Sequence, residues 1–293
     1  MSAPLDALCA RLRSHYVWAD RVEAMCAAAR AGLPPGLDGH ATAAWLTERL
    51  QSVSPDRHLR VRWFEQAPAA APEHDDTARR ERHEAARADR WGLTQVERLD
   101  GGAIGLVELS EFYPEPWIAA PLADAMARLA GARALVYDLR RCRGGEPDGV
   151  ARVASYLFGA QPVHLNDLYL RVEERIESFW TRPDVPGPRF ADVPVFVLVS
   201  GDTFSAAEEF AYDLQALERA TVVGEVTRGG AHPGAIHRLD DHFAVFIPDA
   251  RAINPRTGDN WEGHGVNPDV TCPREQALAL ACELARAALE PRR

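Results

Sequence analysis

The chain reads as an α/β layered protein preceded by a small helical amino-terminal unit, and three observations carry that reading. Strand-like and helix-like stretches alternate from Trp91 to the carboxyl terminus. Two of the strands, 134–139 and 195–199, are apolar with almost no polar break, as strands covered on both faces of a sheet are. The first 50 residues instead place Leu5, Leu8, Leu12 and Tyr16 at helical spacing.

The elements follow in order. Residues 41–50 form a further helix after the loop LPPGLDGH, and LRVRWF (59–64) alternates like a half-buried strand. Residues 67–90 open with a Pro/Ala run and continue as EHDDTARRERHEAARADR, which is almost free of apolar residues. They are expected to be an exposed connection, so the domains expected are 1–66, a linker 67–90, and a core 91–293. Within the core, 104–109 is a strand, 119–130 a helix, 134–139 a buried strand and 148–158 a helix. A long irregular segment, 161–192, rich in proline and aromatics, precedes the strand 195–199 and the helix 206–217. Strands 220–223 and 242–247 and a closing helix 274–289 complete the pattern.

Composition narrows the function. The 293 residues are 46% hydrophobic and 26% charged, ordinary for a globular chain with an ample core. A net charge of −10 argues against a nucleic-acid surface. No apolar run approaches the ~20 residues that span a bilayer, and the charged amino terminus lacks a signal core, so a cytoplasmic protein without membrane insertion is expected. The five widely spaced cysteines include no CxxC pair, which fits reduced thiols better than a disulfide frame or zinc site. All 33 basic residues are arginine. Chemistry that needs a lysine base, a Schiff base or a P-loop is therefore excluded, and neither cofactor nor metal is expected.

The most informative stretch is VFVLVSGDTFSAAEEFAYDLQAL, a buried strand, a Gly-Asp turn and a helix start at Ser205. Backbone N–H groups and the positive end of the helix dipole meet there, and an oxyanion would be stabilised. Nucleophilic serines are often presented at such turns. Ser205 with Glu208 three residues on also reads as a capping box, so the segment alone leaves cap and nucleophile open. Gly144 and Gly145 in DLRRCRGGEP follow a buried strand, where they are candidate oxyanion donors or a tight turn. His58 in SPDRHLRV is a candidate base or a surface histidine. Glu262 and His264 in the loop NPRTGDNWEGHGVNPDV are candidates for orienting a base, or members of a structured surface loop. His232, His237 and His242 are five apart, which puts neighbours off one face of a helix or strand and argues against a metal site. His232 alone is a candidate pocket residue.

SPDRHLRV, LVYDLRRCRGG, TFSAAEEFAYDLQALERATVVGEVTRGGAHPG and NWEGHGVNPDV, in that order and over nearly the whole chain, resemble the tail-specific (carboxyl-terminal processing) serine proteases. The likeness is to the branch without a PDZ domain, similar to the repeats of interphotoreceptor retinoid-binding protein. The resemblance implies a ClpP/crotonase-like β-α superhelix core, with Ser205 at the nucleophile position. It also exposes a departure: the family takes a lysine base 25 residues after the serine, and position 230 is glycine. A second arrangement, seen in tricorn-type proteases, uses a histidine from the end of the helical unit and a late glutamate. His58 and Glu262 match those positions, although Arg57 stands where those enzymes have a serine.

These readings lead to an expected serine-type peptidase acting on a peptide or protein. Ser205 attacks, His58 is its base, Glu262 orients the histidine, and Gly144, Gly145 and Ala206 supply the oxyanion hole. Glu208, as helix cap, and His232 are secondary candidates. Two alternatives stand beside it: a non-catalytic protein holding an apolar small molecule on the same fold, with the aromatics between 156 and 190 lining its pocket, and a hydrolase of a non-peptide acyl substrate. Oligomeric state is not readable from the sequence.

Overall fold

The structure, a computed structural model, describes residues 2–66 and 76–290. Helices α1 (Ser2–His15), α2 (Val22–Arg30) and α3 (Gly39–Val53) come first, then strand β1 (Arg60–Trp63). Helix α4 (Asp76–Ala88) leads to strands β2 (Leu93–Leu99) and β3 (Ile104–Leu109), helix α5 (Glu115–Arg128) and strand β4 (Ala134–Asp138). Next come helix α6 (Pro147–Ala154), strands β5 (His164–Leu170), β6 (Arg175–Trp180) and β7 (Val195–Val199), helix α7 (Ala206–Ala216) and strand β8 (Thr221–Gly224). Strands β9 (Gly234–Arg238), β10 (Phe243–Pro248), β11 (Ala250–Ile253) and β12 (Val270–Thr271) precede helix α8 (Ala277–Leu289).

The chain divides into two compact units. One comprises Met1–Glu81, Leu168–Glu177 and His232–Ala252; the other comprises Arg82–Asp167, Ser178–Ala231 and Ile253–Arg293. The division differs from the one expected along the sequence, because two later segments join the amino-terminal unit. The reason is pairing: β10 lies between β1 and β9, antiparallel to both, with Arg60 opposite Phe246 and Val245 opposite His237. Strand β10 carries Val245 and Ile247 into a core with Leu8, Leu12, Tyr16, Met25, Leu46 and Leu50. A short strand has no local way of announcing a partner some 180 residues away.

The second unit is the expected α/β layer structure. Its six-stranded sheet runs in the order β12-β8-β7-β4-β3-β2, parallel throughout except for the edge strand β2. One face packs Ile104, Leu106, Val136, Phe196 and Leu198 against Ala277, Ala281 and Ala285 of α8. On α7, Phe210 meets Tyr137 of β4 at 5.1 Å and Phe112 at 5.4 Å. Both faces of β4 and β7 are therefore covered, which is why these strands read as apolar runs.

Two local expectations are corrected. The segment 161–192 is not irregular throughout but holds β5 and β6, which with β11 form a sheet in the order β11-β5-β6. Strand β6 is exposed at nearly every position, so no apolar alternation marks it. The expected connection 67–90 contains α4; its residues 67–75 lie outside those described. That helix is polar yet anchored. Ala86 is fully buried, Arg82 reaches Glu146 at 2.8 Å, and the His83 ring meets Trp91 and Trp117 edge-on at 5.0 Å each.

Candidate active site

Two loops leaving adjacent parallel strands build the first part of the site. Strands β4 and β7 are paired from Leu135 opposite Val195 to Asp138 opposite Leu198, so the segments that leave them start side by side. Hydroxyls then join the loops. Ser200 Oγ donates to the Arg140 carbonyl at 2.7 Å, Thr203 Oγ1 to the Leu139 carbonyl at 2.8 Å, and the Phe204 N–H to the Cys142 carbonyl at 3.2 Å.

Ser205 sits at the helix start with φ 57° and ψ −126°. Such a conformation costs a residue with a Cβ on the order of 1–3 kcal/mol and persists only where neighbours impose it. Here Glu208 Oε2 accepts the Ser205 N–H at 2.8 Å, and the N–H groups of Glu208 and Glu209 bind the Ser205 carbonyl at 2.8 and 3.0 Å. The glutamate half of the expected capping box is thus formed.

Gly144 lies against this turn. Its φ is +120°, and a Cβ there would stand 2.8 Å from the Ser205 Cβ, so only glycine fits. Gly145, at φ +135°, would place a Cβ 2.0 Å from the Phe112 carbonyl oxygen. Phe112 fixes the pair: its N–H donates to the Gly144 carbonyl at 2.8 Å, and its carbonyl accepts the Glu146 N–H at 2.7 Å. Among the described residues, none accepts from the N–H groups of Gly144, Gly145 or Ala206. Donors fixed in this way and left uncommitted are what a developing oxyanion requires.

Glu208 does more than cap a helix. Its buried carboxylate accepts four hydrogen bonds: Oε2 from the N–H groups of Ser205 (2.8 Å) and Gly230 (2.9 Å), and Oε1 from Thr227 Oγ1 (2.5 Å) and the Gly229 N–H (2.6 Å). Burial pushes this carboxyl up to about 7, against the pull of its four donors. Thr227 Oγ1 in turn accepts the Val266 N–H at 2.7 Å. The Ser205 turn is therefore tied to residues 227–230, and through them to the loop that carries Glu262. Trp261 Nε1 donates to the Gly230 carbonyl at 2.8 Å, and the Ala231 N–H donates to Glu262 Oε2 at 2.5 Å. Gly230, where the resemblance expects a lysine, contributes only its backbone.

The amino-terminal unit holds a histidine–carboxylate pair. His232 Nδ1 and Asp56 Oδ2 are 2.7 Å apart, with both side chains buried. Asp56 Oδ1 accepts the backbone N–H of His58 at 3.0 Å, and Gln51 Nε2 holds the Asp56 carbonyl at 3.1 Å. The edge of Trp18 packs on the His232 ring at 6.0 Å. His58 instead stacks its ring on Phe246 at 5.7 Å. The carboxylate beside His232 is thus Asp56, which sequence reasoning passed over. Its only signal was its place two residues before the histidine in SPDRH.

The model of Peptidase family S41 matches residues 103–272, a span that includes Gly144, Gly145, Ser205, Glu208, His232 and Glu262. A carboxyl-terminal-processing protease from Synechocystis is 27% identical over 186 residues, which cover 63% of this chain and 41% of that protein. The chain thus spans about two-fifths of the length of this curated relative. Among solved structures, an S41 protease from Bacteroides fragilis aligns with a TM-score of 0.69 at 13% identity, covering 97% of both chains. A peptidase from Parabacteroides merdae aligns at 0.66 with 16% identity over 99% of both, and a photosystem II D1 C-terminal processing protease at 0.57 with 16% identity over 97% of both. These likenesses concern the fold. By the match over more than half of its length, this chain belongs to peptidase family S41.

Proposed function

We propose that the chain is a serine peptidase in which Ser205 is the nucleophile, His232 its general base and Asp56 the group that orients the base. The observation that carries the proposal is the strained Ser205, set beside three uncommitted backbone N–H groups. Family membership and the Asp56–His232 pair support the same reading. The base is assigned to His232 in place of the His58 expected along the sequence on one ground, that a carboxylate at Nδ1 fixes the tautomer that leaves Nε2 as proton acceptor. His58 contributes its backbone N–H to Asp56.

The chemistry follows from these roles. Ser205 Oγ adds to the scissile carbonyl as its proton passes to His232 Nε2, and the N–H groups of Gly144, Gly145 and Ala206 receive the oxyanion. Collapse breaks the C–N bond and returns the proton to the leaving amine. A water, deprotonated by the same imidazole, then hydrolyses the acyl-serine. Loss of one oxyanion donor in such a site costs on the order of 10²–10³ in kcat. Glu208 acts as a positioning residue: it holds the turn and touches no reacting atom. Glu262 is assigned the same kind of role, through the Ala231 N–H that precedes the base.

The test is labelling with a fluorophosphonate, read by intact mass. Wild type and His58→Ala are expected to take one adduct, Ser205→Ala none, and His232→Ala to label at least a hundred-fold more slowly. Labelling of Ser205→Ala at the wild-type rate would overturn the reading. Loss of labelling in His58→Ala with retention in His232→Ala would return the base to His58.

A further inference from the structure

Two arginines bracket the nucleophile, and the mechanism above gives them no task. Arg143 immediately precedes Gly144, whose backbone lies against Ser205, and its side chain is exposed. Arg228 is also exposed; its guanidinium lies over the ring of Phe204, the residue before Ser205, at 5.3 Å, and its N–H donates to the Thr203 carbonyl at 3.1 Å. Among the described residues, neither guanidinium forms an ion pair.

The surroundings do not cancel these charges. Asp202, the nearby carboxylate on the same turn, is held by Arg274 at 2.6 Å. The hydrogen bond from Arg274, with the fields of Arg274, Arg143 and Arg228, keeps the Asp202 carboxyl below its usual range. Glu225 accepts the Arg274 N–H at 3.2 Å. Arg274 is thus shared among Asp202, Glu225 and, at 4.0 Å, Glu275, and these carboxylates leave Arg143 and Arg228 without an ion-pair partner among the described residues. Two exposed guanidinium groups that no carboxylate among the described residues engages, placed next to the Ser205 turn, are a device for choosing substrates, because charge near a cleft selects and steers ligands of opposite sign.

We propose that Arg143 and Arg228 select peptides that carry a carboxylate within about two residues of the scissile bond, a distance set by the reach of an arginine side chain. The inference rests on the serine peptidase reading and names the substrate class of that same site. An acidic side chain and a free carboxyl terminus present the same group. Both arginines are exposed, so each contact is worth at most about a five-fold preference at low salt, and it weakens as ionic strength rises.

The experiment digests a proteome-derived peptide library with the whole chain, at low and high salt, and identifies the cleaved bonds by mass spectrometry. The library is used once with free carboxyl termini and once amidated. Cleaved bonds are expected to be enriched several-fold in neighbouring Asp or Glu at low salt, less so at high salt, and Arg143→Glu with Arg228→Glu is expected to shift the preference toward Arg and Lys. Enrichment that disappears on amidation would assign the contact to the terminal carboxylate, and enrichment that survives assigns it to side chains. Cleavage indifferent to charge overturns this inference and leaves the peptidase reading intact, whereas no cleavage together with no labelling of Ser205 overturns both. A labelled enzyme that cleaves no peptide also overturns the inference.

Discussion

Replacing Glu208 by glutamine tests whether one buried carboxylate holds the nucleophile turn. The side chain keeps its shape but exchanges one acceptor oxygen for an NH2 donor. Each carboxylate oxygen now accepts from at least one backbone N–H: Oε2 from Ser205 and Gly230, Oε1 from Gly229. Either orientation of the amide therefore sets its NH2 against an N–H that cannot accept. With the amide nitrogen at the Oε1 position, Thr227 Oγ1 can take its hydrogen, yet Gly229 is left unpaired; the other orientation orphans two N–H groups. An orphaned buried donor costs about 1–3 kcal/mol, and the bonds that remain lose their charge assistance. The expected loss is about 3–5 kcal/mol, or a Tm lower by about 10 °C in a chain of this size. The strained φ and ψ of Ser205 are expected to relax with it, lowering the fluorophosphonate labelling rate at least ten-fold even well below the new Tm. Calorimetry and a labelling time course at 20 °C measure the two effects, both run well above pH 7 so that the wild-type Glu208 carboxyl is ionised. A Tm within 2 °C of wild type together with an unchanged labelling rate would refute the reasoning, because the four donors would then not depend on the charge.

Three further outcomes follow from the same geometry. Gly144→Ala puts a methyl group against the Ser205 Cβ at 2.8 Å and strains φ +120°, so labelling is expected to fall more than a hundred-fold; activity within three-fold of wild type would show that Gly144 supplies only a turn. Asp56→Asn is expected to lower kcat by 10²–10⁴ with KM little changed, because the His232 tautomer is no longer fixed, while His58→Ala keeps the backbone N–H to Asp56 and stays within a few-fold; equal losses in both variants would contradict the assignment of the base. The His237 ring lies 4.2 Å from His15, and burial, with the charges of His15 and Arg11, pushes its pKa down to about 4. The unfolded chain therefore binds a proton here near pH 6.5 that the native state refuses until about pH 4, so this contribution is present above pH 6.5 and is lost as pH falls toward 4. After discounting for partial exposure it is worth about 1–2 kcal/mol, and His237→Leu is expected to flatten the acid limb of Tm against pH; an unchanged limb would locate acid sensitivity elsewhere.

What could be read in the sequence divides along a physical line. The strand, turn and helix around Ser205 and the glycines after β4 were legible because their signals are local: apolar runs, a Gly-Asp turn, a serine with a glutamate three residues on. The two loops also meet for a local reason, since they leave neighbouring strands in register. Strand β6 was not legible because its side chains face solvent and carry no periodicity. Strand β10 was seen as a strand, but its partner was not, because antiparallel pairing with β1 depends on chain closure over most of the sequence.

The same line explains why Glu208 and Asp56 were underread. A glutamate three residues after a serine announces a cap, and one of its four bonds is that cap. The other three reach residues 227–230, which become neighbours only once β8 has been laid beside β7 and the chain has turned back. The resemblance to lysine-dependent proteases framed position 230 as a loss. In the folded chain that position and its neighbour offer backbone donors to Glu208, and a bound carboxylate does not require a side chain there. With no lysine anywhere in the chain, the proposed base is an imidazole, and its role as acceptor at one nitrogen asks for a fixed tautomer. Asp56 meets that condition at 2.7 Å, so the proposed chemistry depends on the buried aspartate of SPDRHLRV.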